Sequence, residues 1–223
     1  MPVNESHKEP EYWISLSDML SGLLMMFILF LTLVLLDYRT VLEEKQGELD
    51  KLLGVRAHII HALTQEFSQE HISIEVDPHT GAIRFQGGVF FEHDSTEITE
   101  SGKEYLRAFI PRYMSIILRP EFQPYISQVI VEGHTDKTGT YLYNLDLSQR
   151  RAFAVVRYVL SEDFPDFPER EAMQQVITAN GRSYSQPLEE NGVIDWDKSR
   201  RVEFKFRLKE DELIQQIKEL IGI

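Results

Sequence analysis

Ile14-Ser-Leu-Ser-Asp-Met-Leu-Ser-Gly-Leu-Leu-Met-Met-Phe-Ile-Leu-Phe-Leu-Thr-Leu-Val-Leu-Leu36 decides how the rest of the chain is read. At about 1.5 Å of rise per residue, a helix of this length crosses the roughly 30 Å hydrocarbon core of a bilayer. The run contains one formal charge, Asp18. A carboxylate there costs on the order of 3 kcal/mol on insertion scales, so a chain needing only an anchor would carry Leu or Ala instead. Intramembrane acids usually face a bundle interior or a water path. Ser21 and Gly22 are small enough to let a second helix come close, and Ser15 and Ser17 add polar company. The simpler reading is that Asp18 lies one turn inside the helix, among headgroups, with no task.

The run is too long for the apolar part of a cleavable signal, the tail before it is acidic (Glu5, Glu9, Glu11), and no small-residue cleavage site follows. It reads as an uncleaved anchor. The expected division is a tail over 1–13, a transmembrane helix over 14–36, a helical linker over 37–70 and a folded domain over 71–223. Trp13 suits the membrane interface. Lys8 precedes the run while Arg39, Lys45 and Lys51 follow it, a bias that mildly favours the downstream part staying in the cytoplasm.

A net charge of −13 excludes a nucleic-acid binder of the usual basic kind, and no basic run points to anionic lipid headgroups. With no cysteine, disulfides and thiolate metal sites are excluded. The residues after the membrane run leave room for one domain with a substantial core.

Residues 38–69 read as helix. Leu49, Leu53, Arg56, Ile60, Leu63 and Phe67 form a short heptad-like seam with one polar break. It suits either a parallel dimer stalk or a lone amphipathic helix lying on its own domain. Ile72–Val76 and Ala82–Phe85 alternate as strands around a turn at Asp77-Pro-His-Thr-Gly81. Helix follows from Thr99, an N-cap, to Leu118. Then come a strand at 129–132, a loop at 133–139, a helix at 141–160, a short helix at 169–175 and a strand at 176–179. An irregular segment covers 181–197, Arg201–Arg207 alternates as a strand, and an amphipathic helix spans 210–220. The fold class expected is α+β: one membrane helix, a helical stalk, and a sheet covered on one face by helices.

The densest polar cluster is Glu132-Gly-His-Thr-Asp-Lys-Thr-Gly139, followed by Tyr143-Asn-Leu-Asp-Leu-Ser-Gln-Arg-Arg-Ala152. A strand-to-helix loop that starts with an acid and leads into two arginines can bring opposite charges onto one ligand. Asp136 would accept from an ammonium and an arginine would fork onto a carboxylate, which suits a zwitterionic amino-acid head. Other readings compete. Arg150 suits a surface salt bridge, Asn144 a helix-start cap, and Arg200 and Arg201 suit partnering of the acidic loops. His134 and Asp136 lack a third metal ligand at convincing spacing. Glu132 and Asp136 lie too close in sequence for a glycosidase acid pair.

Gly133, His134, Thr135, Asp136, Gly139, Asn144, Leu147, Ser148, Arg151 and Ala152 stand in the register of the OmpA-like peptidoglycan-binding domain, which this stretch resembles. Val89–Ser95 looks like that family's first strand and ligand loop. Ser199-Arg-Arg-Val-Glu203 looks like its N-R-R-V-E signature, with Ser199 in place of Asn. The resemblance covers about residues 80–208. It implies a binding protein rather than an enzyme, with stem-peptide diaminopimelate held by Asp136 on its ammonium and Arg151 on its carboxylate. Asn144 would shape the loop, Leu147 would pack beneath the ligand, and Tyr143 belongs to the same peptidoglycan-binding set.

Trp13, Asp18, Leu23 and Phe27 are similar to the membrane signature of MotB-like stator subunits, in which the aspartate carries the ion. The acidic tail and the Leu16–Gly22 run look more like the ZorB branch, the MotB-like subunits of Zorya anti-phage systems. The resemblance implies a parallel homodimer in the bilayer, inside a ring of multi-pass MotA/ZorA-like subunits. The N-terminus would be cytoplasmic and the domain periplasmic, against the charge bias above, in the inner membrane. The coupling ion would be a proton on Asp18, with no other cofactor and no direct nucleic-acid partner. A flagellar stator, a passive wall tether and a wall hydrolase are the alternatives.

Overall fold

The computed structural model describes residues 9–67 and 74–209. The chain forms two compact units, Met1–Lys51 and Leu52–Ile223. One helix, α1 (Glu9–Phe67), contributes to both. In the first unit the apolar span Leu16–Val41 has 26 residues, about 39 Å at the helical rise, and is exposed along its length. Asp18 lies near its start, also exposed. Thr32 and Thr40 return their hydroxyls to the carbonyls of Ile28 and Leu36, which removes two donors from an apolar surface.

In the second unit the remaining elements are β1 (Ile74–Val76), β2 (Ile83–Gln86), α2 (Gly87–Phe90), α3 (Glu100–Ile117), β3 (Ile126–His134), α4 (Tyr141–Val159), α5 (Arg170–Val176), β4 (Ile177–Gly181), β5 (Leu188–Glu190), β6 (Val193–Asp195), α6 (Trp196–Ser199) and β7 (Arg201–Leu208). Five strands form a sheet in the order β1-β2-β7-β3-β4, with β3 and β4 parallel and the other pairs antiparallel. Strand alternation gives the sheet two chemically different faces. Ile83, Phe85, Val129, Val131, Val202, Phe204 and Phe206 belong to the buried core with α3 and α4. Arg84, Glu132, His134, Arg201, Glu203 and Lys205 alternate with them and so share the opposite face.

The core is aromatic at its centre. Phe109 meets Phe85, Tyr113 and Phe204 at centroid separations of 4.9, 5.1 and 5.0 Å. Each such ring adds about 0.5–1.5 kcal/mol of pair geometry beyond its burial. Ile59, Leu63 and Phe67 of α1 are buried in this core, Phe67 lies 5.2 Å from Phe109, and Arg112 donates to Glu66 at 2.7 Å. The later half of the seam read from the sequence therefore packs on the chain's own domain. The Leu49 and Leu53 side chains lie outside the described residues.

Two glycines set how closely α4 approaches the sheet. A Cβ on Gly133 would lie 2.3 Å from the Ser148 carbonyl oxygen, and one on Gly181 2.5 Å from the Gln149 nitrogen. Both clashes are with backbone, so neither position accepts alanine without moving the helix.

Two expectations are corrected. Gly87–Phe90 forms a helical turn where Val89–Phe91 reads as a strand, and only Phe91 makes an isolated bridge, to Ile98. The carbonyls of Val89 and Phe90 accept from the Thr99 hydroxyl and amide, both at 2.9 Å, and not from a neighbouring strand, so no ladder forms there. The segment read as irregular over 181–197 contains the β5–β6 hairpin, turned by Asn191 and Gly192 at positive φ of 53° and 78°. The helix expected over 210–220 lies outside the described residues.

Candidate functional site

The end of β3, the start of α4 and the loop before α3 surround a cleft of about 560 Å³. Its first wall is the 135–140 loop. Asp136 Oδ1 accepts the Thr138 amide at 2.7 Å, closing a turn on the carboxylate itself. Gly139 follows with φ of +95°, a left-handed conformation that suits glycine. Thr140 then caps α4, accepting from the Tyr143 amide at 3.2 Å. Asn144, buried on the first turn of α4, donates to the carbonyls of Thr138 and Thr140 at 2.8 and 3.2 Å. It is the tie that fixes the loop. It is not the helix cap, a place Thr140 holds.

The second wall is the 92–95 loop, in which Asp94 has a positive φ of 58°. Arg151 holds this loop from α4: its Nε donates to the Ser95 carbonyl at 2.9 Å and its Nη2 to the Glu92 carbonyl at 3.1 Å. The guanidinium lies 5.3 Å from the centre of the Phe91 ring. Tyr143 donates its hydroxyl to the Asp94 carboxylate. Burial pulls the Arg151 pKa down, against opposing attraction from Asp94, Tyr143 and Asp136. An arginine so placed remains charged at neutral pH.

Asp136 has one cationic partner among the described residues, Arg200, whose Nη1 sits 3.0 Å from its Oδ2. Burial works to raise the Asp136 pKa, but the Thr138 amide and Arg200 outweigh it and hold the group below the usual carboxylate value. The cleft thus presents an ionised acid on one wall and a fixed guanidinium on the other. Half-buried Leu147 supplies apolar lining between them. This arrangement can orient a small molecule bearing both an ammonium and a carboxylate.

Residues 90–201 match the model of the OmpA family. Over 212 residues the chain is 33% identical to the Zorya protein ZorB of Escherichia coli strain Crooks, covering 89% of this chain and 88% of that protein. A second E. coli Zorya protein ZorB, from an O139:H28 strain, is 25% identical over 89% of this chain and 81% of its own length. The chain belongs to the ZorB family, with an OmpA domain within it. Among solved structures, the periplasmic domain of Helicobacter pylori MotB superposes with a TM-score of 0.43 at 18% identity, covering 67% of this chain and 89% of that one.

In this ZorB-family chain, all five soluble residues singled out from the sequence meet in the one cleft: Asp136, Tyr143, Asn144, Leu147 and Arg151. Asp94 and Arg200 join them. Asp94 falls in the segment already resembling a ligand loop, whereas Arg200 reads from sequence only as a partner for an acidic loop. That is the contact it makes. Arg150 pairs on the surface with Asp146 at 2.9 Å.

Glu132 and His134 point away from the cleft chemistry. They lie with Glu203 on the other face of the sheet, where their ligand atoms come within 4.8 Å of one another, close enough to suggest a metal site. The charges argue against one. Glu132 is held by Arg182 at 2.6 Å and Lys205 at 2.5 Å; Glu203 is held by Lys205 at 2.7 Å, Arg84 at 3.2 Å and Arg201. Four cations already occupy both carboxylates, and a metal ion would have to displace them. Glu132 and Asp136, the acid pair weighed from the sequence, are thus separated: Glu132 lies in this network and Asp136 lines the cleft.

Proposed function

We propose that the chain is the wall-anchored, stator-like subunit of a proton-driven membrane motor of the Zorya defence type. The observation that carries this reading is the union, in one chain, of an acid-bearing apolar helix of membrane length and an OmpA domain whose cleft sets Asp136 against Arg151. In this reading the protein crosses the inner membrane once, with the domain in the periplasm; the length and apolar character of the helix support it. Diaminopimelate of the peptidoglycan stem peptide fits the cleft, its ammonium on Asp136 and its carboxylate toward Arg151, beside Tyr143 and over Leu147, with Asn144 holding the loop. Two copies pair their membrane helices inside a ring of multi-pass MotA/ZorA-like subunits. Asp18 takes a proton from the periplasmic side and releases it to the cytoplasm. Each proton crossing is worth about 2.3 kcal/mol per 100 mV. Neutralising Asp18 removes the cost of a buried charge and frees the helix to shift its packing. Wall attachment keeps the pair from turning with the ring.

The test separates the two halves. Full-length protein should sediment with purified peptidoglycan sacculi, and Asp136→Ala should abolish that binding. Asp18→Asn should retain wall binding and expression but lose phage protection in a plating assay with the partner genes present. A fully protective Asp18→Asn protein would leave only a passive tether. Wild-type protein that stays in the supernatant would remove the wall-binding half.

A further inference from the structure

We infer that Arg200 is a resident competitor for the ligand ammonium at Asp136, and that it sets how strongly the cleft discriminates among cations. The inference rests on the reading of the cleft as a diaminopimelate site. Asp136 is fixed: its Oδ1 accepts the Thr138 amide, and only 15% of its side chain is exposed. Arg200 is held by charges alone, Asp136 at 3.0 Å and Asp197 at 2.5 Å, with 44% of its own side chain and 86% of that of Asp197 exposed. The other cleft arginine differs in kind, since Arg151 is buried and tied to two backbone carbonyls. One wall therefore has a permanent guanidinium and the other an exchangeable one.

The exchange has a chemical reason to favour an ammonium. Arg200 satisfies Asp136 but leaves Thr135, the next residue on that wall, with a buried hydroxyl that has no hydrogen-bond partner among the described residues. An ammonium carries three donors on one compact centre and can serve a carboxylate and a neighbouring hydroxyl together, which a planar guanidinium anchored elsewhere does not do here. A ligand lacking an ammonium has nothing to offer in place of Arg200, so Asp136 stays closed to it. Binding in the wild type then breaks one ion pair and forms another.

The experiment compares full-length wild type, R200Q and R200K in detergent, by calorimetric titration with the tripeptide L-Ala-D-Glu-meso-diaminopimelate at two salt concentrations. A partly exposed ion pair is worth up to about 1 kcal/mol, so R200Q should bind about two- to fivefold more tightly than wild type. Its affinity should also fall more steeply with salt, because its ligand forms an ion pair without breaking one. R200K keeps a competing cation and should stay within about twofold of wild type. Equal or weaker binding by R200Q, or an unchanged salt slope, overturns the inference while leaving the wall-binding reading intact. Absence of binding by wild type and R200Q alike removes both.

Discussion

Glu132 and Asp136 lie four residues apart, at the end of β3 and just beyond it, yet they sit in opposite electrostatic situations. Under the sheet, Glu132 and Glu203 share Arg84, Arg182, Arg201 and Lys205, and every oxygen is engaged. In the cleft, Asp136 is paired with a single cation among the described residues, Arg200, whose own side chain is 44% exposed. Several cations on each buried acid are the mark of structure, and an acid paired to one partly exposed arginine beside a fixed one is suited to recognition. A sequence motif holding both acids does not distinguish them; the faces of the strand do.

The contrast can be broken most severely at Glu203. Glu203→Ala leaves buried Arg201 and its neighbours without their shared carboxylate, and should cost about 3–5 kcal/mol in urea unfolding. Asp136→Ala should cost about 1 kcal/mol or less in the same experiment while abolishing sacculus binding, because its ion pair is partly exposed. A comparable stability loss in the two variants would erase the distinction.

Acid sharpens it further. Burial raises the Glu203 pKa, but Arg201 and Lys205 outweigh it and bring it from 4.5 down to about 2. Its contribution is complete above pH 4.5 and is lost as pH falls toward 2. His134 is shifted by burial first, then by Arg201 and Lys205, from 6.5 to about 3, so the native ring stays neutral where the unfolded ring takes a proton. Stability should therefore begin to fall below pH 6.5, by up to about 1.4 kcal/mol per pH unit for that one proton. His134→Gln should flatten the unfolding midpoint between pH 6.5 and 4.5 and leave the Glu203 phase below it. The smallest effect is expected at Arg150→Ala, whose pair with Asp146 is on the surface: no measurable change in midpoint or in wall binding.

Much of the cleft is legible in the sequence because its parts are local. Asp136, Thr140, Asn144 and Arg151 lie within one loop and one helix, and helical spacing brings them to a common side. The membrane span and the alternation of β7 are legible for the same reason, each declared by its own residues. What is not legible is long-range. The four cations of the buried network come from β2, β7 and the residue after β4, and only strand order brings them to Glu132 and Glu203. Arg200 reaches Asp136 across 64 positions of sequence. The Phe90–Phe91 pair reads as strand because both residues favour strands, but Thr99, further along the chain, takes the Val89 and Phe90 carbonyls that a strand partner would need. The β5–β6 hairpin had a local signal in Asn191-Gly192, masked by strands only three residues long.

The bare α-carbons of Gly133 and Gly181 have a consequence for selectivity. They let α4 rest on the strands backbone to backbone, and α4 carries Arg151 while β3 leads directly into Asp136. The gap between the two charges is thus gauged by the absence of two methyl groups. An alanine at either position would act as a shim, widening the jaws before it touched any residue that meets the ligand. The length of the molecule these jaws can grip is written into the sheet, one layer beneath the surface that does the gripping.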